Sequence, residues 1–138
     1  MANAIYPKYK EALLSGDTDI SMISPATVKI TLLTNDVLPI VYDSSHVFYS
    51  EINAVNKLDE ETFTNVSVVN GVFKADDVSF DSVLEDSECD SLVIWIDTGV
   101  PATSRLVCFM DTNVVGLPLV ADGTPVDLTF NTSGIFQL

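Results

Sequence analysis

The residues of this chain that could take part in chemistry are one histidine, two cysteines and twenty carboxylates. A serine nucleophile needs a neighbouring base, and His46 is the only imidazole that could serve; no Gly-x-Ser-x-Gly motif is present. Cys89 and Cys108 are spaced neither as metal ligands nor as a redox pair. We therefore predict two reduced cysteines, with Cys108 as a small core residue, and assign no catalytic residue.

The carboxylates are the remaining candidates for acid–base chemistry. Glycosidases need two of them, separated by about 5 Å or by about 6.5–9.5 Å. With twenty in 138 residues, close pairs such as Asp76 and Asp77 arise by chance, and we interpret them as solvated turns. Asp17 with Asp19, and residues 85–90, offer oxygen ligands for calcium without the twelve-residue loop pattern, so a structural cation stays open there. We assign no metal ligand and no cofactor, and predict that the chain is not an enzyme.

The formal net charge of −14 bears on possible partners. Such a charge repels phosphate backbones and anionic lipid surfaces, so neither nucleic acid nor a membrane is expected as a partner. It suits docking to a basic surface or display outside a larger particle. No apolar run reaches the roughly eighteen residues of a membrane span, and residues 1–6 lack signal-peptide features, so we expect synthesis in the cytoplasm.

One short helix is predicted near the N-terminus. Pro7 suits the first helical position, and Gly16 is placed to end the helix. Ile5, Tyr9 and Leu13 fall on one face. Because so short a helix is not stable alone, this face must pack on the domain or on a neighbouring subunit.

The rest of the chain reads as strands joined by turns. Residues 27–33 alternate between apolar and polar, and Asn70-Gly71 is a strong hairpin signal. Residues 91–97 and 105–111 are apolar on both faces, which favours the middle of a covered sheet or a subunit interface. Because no helix separates these strands, we predict an all-β fold: an antiparallel β-sandwich or jelly-roll-like domain of about eight strands with a short N-terminal helix. We divide the chain into an N-terminal arm and helix, 1–24, and a single β-sandwich domain, 25–138.

The aromatic residues are candidates for binding. Trp95 lies in the most apolar strand, which favours the core or an interface. Tyr42, Phe48 and Tyr49 lie in a predicted loop, where we expect them to be exposed and available to a ligand or partner.

Four segments carry a resemblance to a known family. Residues 6–17 (YPKYKEALLSGD), 28–33 (VKITLL), 70–80 (NGVFKADDVSF) and 92–99 (LVIWIDTG) resemble a family of small virion structural proteins of tailed bacteriophages. The resemblance covers nearly the whole chain and concerns its layout. This chain departs from a typical member at residues 53–65 and 114–118.

The resemblance implies assembly on the phage particle without enzymatic activity. Our leading hypothesis is a capsid decoration or cement protein on the virion surface, a homotrimer that binds the major capsid protein through an N-terminal clamp. Alternatives are a head-fibre or tail component, including a receptor- or carbohydrate-binding module. The predicted partner-contact residues are Ile5, Tyr6, Tyr9, Leu13, Tyr42, Phe48 and Tyr49.

Overall fold

The computed structural model describes residues 3–17, 20–23, 26–111 and 114–137. Within them, one α-helix follows the first of a series of short strands. The elements, in chain order, are β1 (Ala4–Ile5), α1 (Pro7–Ser15), β2 (Thr27–Leu33), two 3-10 turns (Tyr49–Glu51 and Ala54–Asn56), β3 (Lys57–Thr62), β4 (Ser67–Val69), β5 (Val72–Lys74), β6 (Val78–Phe80), β7 (Glu88–Cys89), β8 (Ser91–Asp97), β9 (Leu106–Met110), β10 (Leu119–Val120), β11 (Val126–Leu128) and β12 (Phe136–Gln137).

The predicted fold class is confirmed: the strands pair antiparallel and a single short α-helix lies near the N-terminus of the described chain. Twelve strands are present among the described residues, compared with the predicted eight or so. The additional strands, such as β7 and β10, are two residues long. A strand of that length is too short to show an alternating hydrophobic pattern.

A five-stranded sheet forms the centre of the molecule, with the order β1-β9-β8-β2-β3. Six of the seven residues of β8 are buried, and all of β9 is buried. Both strands are therefore interior strands of a covered sheet, as their apolar residues on both faces predicted.

The register of β2 and β8 defines the two faces of this sheet. Ile30 pairs with Ile94 on one face, and this pair belongs to the same buried cluster as Phe73 and Phe80 from the smaller sheets. The opposite face carries Trp95, against which residues 35–56 fold. The sheet is thus covered on both sides, which makes the arrangement sandwich-like.

The smaller sheets are β12-β5-β4, β11-β6 and β10-β7. The hairpin from β4 to β5 turns at Asn70 and Gly71, whose φ angles of 53° and 77° are both positive. This is the backbone that a type I′ turn requires, and the Asn-Gly signal predicted it. β12 pairs with β5, so the C-terminal strand is tied into a sheet.

The N-terminal elements belong to the main core. β1 pairs with the edge of β9, and α1 runs from Pro7 to a left-handed cap at Gly16. Tyr9 and Ala12 of the helix are buried in the protein's own core. The apolar face of the helix therefore packs on the domain itself. The predicted division between 1–24 and 25–138 falls at Ser24 and Pro25, outside the described residues.

Two tyrosines at this end of the chain differ in their hydrogen bonds. The Tyr9 hydroxyl donates to the Ile20 carbonyl oxygen at 2.9 Å. The Tyr6 hydroxyl is buried and has no hydrogen-bond partner among the described residues. Burial also raises the pKa of both phenols, to about 12 for Tyr9, so both stay neutral at physiological pH.

This difference gives a prediction with a built-in control. Tyr6→Phe removes a buried hydroxyl that makes no bond, so we expect it to raise the free energy of unfolding by about 1 kcal/mol. Tyr9→Phe removes a satisfied hydroxyl and leaves the Ile20 carbonyl unpaired, so we expect a loss of about 1 kcal/mol. Urea unfolding of the two variants measures both changes. Equal destabilisation by both would contradict the assignment of the Tyr6 hydroxyl as unpaired.

Candidate functional site

The structure separates the four N-terminal partner-contact candidates. Tyr6 and Tyr9 are only 1% and 2% exposed, so they are core residues and not surface contacts. Their rings face inward because β1 holds this segment against β9 and α1 lies on the core. Ile5 and Leu13 are half-buried and keep some surface, so partner contact stays a prediction for them.

The three loop candidates are also divided. The expectation that Tyr49 is exposed is wrong: it is 5% exposed, because a 3-10 turn places its ring on the central sheet. Tyr42 is half-buried and its ring contacts Phe109 at a centroid distance of 5.6 Å. Phe48 is half-buried with Arg105 over its ring. Tyr42 and Phe48 thus remain predicted contact residues.

Tyr49 is the centre of a buried polar network. Its ring stacks on Trp95, with centroids 3.8 Å apart and planes 6° from parallel. The Trp95 indole N–H donates to Thr31 Oγ1 at 2.9 Å, Thr31 Oγ1 lies 2.9 Å from the Tyr49 hydroxyl, and that hydroxyl donates to Glu60 at 3.2 Å. An indole can only donate and a carboxylate can only accept, so Thr31 must donate to Tyr49.

A lysine completes the environment of Tyr49. Lys57 Nζ lies 3.8 Å from the centre of the Tyr49 ring, on the face that Trp95 leaves open. Burial lowers the pKa of Lys57, and the nearby Glu60 carboxylate opposes that shift. Burial likewise raises the pKa of the Tyr49 phenol. Because each polar group has a partner within the network, we interpret it as the anchor of residues 35–56 and not as a reactive site.

Residues 35–56, here called the 35–56 segment, are anchored at both ends. Near its start, Asp90 accepts a hydrogen bond from the Asn35 N–H at 2.9 Å. Near its end, the Asn56 side chain donates to the carbonyl oxygens of Thr34 and Leu38 at 2.9 and 2.8 Å. The segment is therefore held in place over the sheet, although it contains no β-strand.

A cleft of about 340 Å³ opens between the 35–56 segment and the sheet. Its apolar walls are Leu38, Pro39, Ile40, Val41, Ile52 and Phe109. His46 and Glu51 also line it. Burial acts to raise the pKa of Glu51, but the N–H groups of Phe48 and Val47 outweigh it and the net pKa is lowered, so this carboxylate is ionised at neutral pH.

Exposed apolar side chains line the cleft or adjoin its lining residues in the chain. Val37 and Val41 are each 69% exposed, and Leu38 and Val55 are exposed as well. We call these four residues the loop patch. Exposed apolar side chains grouped around a cavity are typical of an interaction surface.

The segment that carries the loop patch is acidic. The 35–56 segment contains Asp36, Asp43 and Glu51 and neither lysine nor arginine. Ser45 donates both its hydroxyl and its N–H to Asp43, which lowers the pKa of that carboxyl. The loop patch therefore lies on a segment rich in carboxylates, one of which, Glu51, lines the cleft; we call these three carboxylates its acidic rim.

The metal-ligand candidates and the two cysteines can be placed on the described part of the chain. No group of three or more His, Cys, Asp or Glu side chains there is placed to hold a metal ion; Asp19, one of the calcium candidates, lies outside that part. Burial raises the pKa of Cys89 to about 11 and that of Cys108 to about 12, so both thiols stay protonated. They are free and buried, and Cys108 lies in the core as predicted.

Comparisons with protein-family models, with curated proteins and with solved structures found no match. A functional proposal therefore depends on this chain's own surface and on the resemblance of its four segments. Among the described helices, none combines the length and apolar character needed to cross a bilayer.

One feature of the sequence points to the cleft, although the helix and strand patterns did not predict it. Residues 37–41 read VLPIV, a run of five apolar residues between Asp36 and Tyr42. Pro39 makes the run a poor interior strand, so its side chains have no regular face to bury. An apolar run in a non-strand segment is a reason to look for an exposed patch.

Proposed function

We propose that this protein is a structural protein of a tailed-bacteriophage particle, a capsid decoration or cement protein that binds the major capsid protein. The observation that carries the proposal is the loop patch, an anchored apolar surface with an acidic rim on a chain of net charge −14. The resemblance of residues 6–17, 28–33, 70–80 and 92–99 to phage virion proteins supports the choice of partner. This role needs no catalytic step and no cofactor.

The physical benefit of such a protein follows from mass action. A protein that binds only the assembled lattice stabilises that lattice by RT ln(1 + [L]/Kd), about 2.7 kcal/mol at a ligand concentration one hundred times Kd. A homotrimer would contact three capsid subunits at once, so each contact raises the effective concentration of the next. We therefore propose a homotrimer on the capsid surface, and the mass of the purified protein in solution tests this assembly.

Reconstitution on capsids tests the proposal. Heads purified from the encoding phage after deletion of this gene are mixed with the purified protein and sedimented. We expect saturable co-sedimentation with heads and a higher temperature of capsid disruption. Tails and host cells serve as parallel samples in the same experiment. Binding to tails or to cells with none to heads would overturn the decoration role and favour a tail, fibre or receptor-binding component.

A further inference from the structure

We infer that the loop patch and its cleft bind an extended segment of the capsid protein, in which an aliphatic side chain is flanked by lysine or arginine. This inference rests on the proposed function and specifies the chemistry of its partner. Three independent features of the 35–56 segment carry it: the apolar cleft, backbone groups without partners, and the sign of the charge at the rim.

The cleft accounts for the aliphatic side chain. Its volume of about 340 Å³ falls within the range of ligand pockets, about 300–1,000 Å³. Leu38 and Val41 both line the cleft and are exposed at its mouth. A side chain entering the cleft would therefore remove apolar surface from water on the partner and on the loop patch together.

The backbone of the segment accounts for the extended form of the partner. Within the described chain, the N–H groups of Val41 and Tyr42 and the carbonyl oxygens of Pro39 and Ile40 make no hydrogen bond. A partner that covers these groups must itself supply hydrogen bonds to them, because an unpaired backbone group is costly to remove from water. An extended peptide supplies N–H and C=O groups along its length, whereas the side of a helix does not.

The charge of the rim accounts for the basic residues. Asp36, Asp43 and Glu51 lie on the segment. Two cations contact the aromatic rings of the segment: Lys57 lies against the Tyr49 ring, and Arg105 lies over the Phe48 ring and pairs with Asp17 at 3.1 Å. His46 Nε2 lies 3.8 Å from the Asp43 carboxylate, so Asp36 and Glu51 are the carboxylates of the segment without an ion pair among the described residues. Lysine or arginine on the partner would meet this negative edge, and the contribution would weaken as salt screens it.

Two substitutions and one control substitution test the inference in the head-binding experiment. Val41→Asn makes the loop patch polar without adding charge, and we expect at least a tenfold rise in Kd for heads. Val69→Asn is the control, since Val69 is similarly exposed, at 62%, but lies on the β4 hairpin. Asp43→Asn removes one rim charge, and we expect a higher Kd at 50 mM salt and a much smaller difference at 500 mM.

Hydrogen exchange gives a second readout. On the heads, we expect slower exchange in a peptide that covers residues 37–43, because their backbone groups gain partners. If Val41→Asn binds as tightly as the wild type, or if residues 37–43 gain no protection while the protein is bound, this inference is wrong and the proposed function survives. If the wild type does not bind heads at all, both are overturned.

Discussion

A chain that lacks residues 1–16 is expected to lose most of its free energy of unfolding. The deletion removes β1 from the edge of β9 together with the buried rings of Tyr6 and Tyr9. Loss of one large buried aromatic side chain costs about 3–5 kcal/mol. A domain of this size is stable by about 5–15 kcal/mol in total. Two such losses therefore approach the whole stability of the protein.

Circular dichroism and urea unfolding measure this effect. We expect the truncated chain to show weak β signal and no cooperative transition near that of the full chain. Leu14→Asn is the matched control, because Leu14 lies on the same helix but is 91% exposed; its unfolding midpoint should be unchanged. A truncated chain that unfolds at the same urea concentration as the full chain would contradict the placement of this segment in the core.

The expected unfolding of the truncated chain affects how an N-terminal clamp is tested. Deletion of residues 1–16 would abolish capsid binding by unfolding the protein, so it says nothing about contact. Leu13 and Leu14 are the better probes, since Leu13 is half-buried and Leu14 is exposed. Loss of head binding in a folded Leu14→Asn variant would support the clamp.

Replacement of Trp95 by alanine is the second large effect, with an expected loss of about 3–5 kcal/mol of unfolding free energy. The indole is 3% exposed in the centre of the sheet and stacks on Tyr49. The substitution would leave a cavity and also remove the donor to Thr31 Oγ1. The 35–56 segment would therefore lose the side chain against which its Tyr49 ring packs.

Trp95→Phe separates the two contributions. Phenylalanine keeps an aromatic ring against Tyr49 but cannot donate to Thr31, so we expect a smaller loss than for alanine. Urea unfolding measures stability, and near-ultraviolet circular dichroism follows the packing of Tyr49. If Trp95→Ala unfolds at the wild-type urea concentration, the stack is not part of the stabilising core.

Several parts of the fold could be predicted because their signals are local. Asn70-Gly71 has the residue types that the positive φ angles of its turn require. Residues 92–96 are apolar at every position of both faces, and a strand covered on both sides suits that pattern. The Val28, Ile30 and Leu32 alternation likewise predicted a strand, and the structure buries all three.

Other parts depended on contacts between distant residues. The pairing of β1 with β9 joins the two halves of the chain, and no pattern in residues 4–5 reveals it. Tyr49 was expected on the surface because it lies in a predicted loop, yet Trp95 and Thr31 give its ring and its hydroxyl buried partners. The cleft was missed for the same reason, since Phe109 from β9 forms one of its walls.

The amino-acid sequence by itself determined the all-β class, the short N-terminal helix, the position of the β4–β5 hairpin and the strongly acidic charge. These properties follow from residue type and from periodicity within one element. Only the tertiary structure decided which aromatic residues are buried and where an apolar surface stays uncovered. A local pattern shows that a face is apolar, whereas its burial depends on which distant element packs against it.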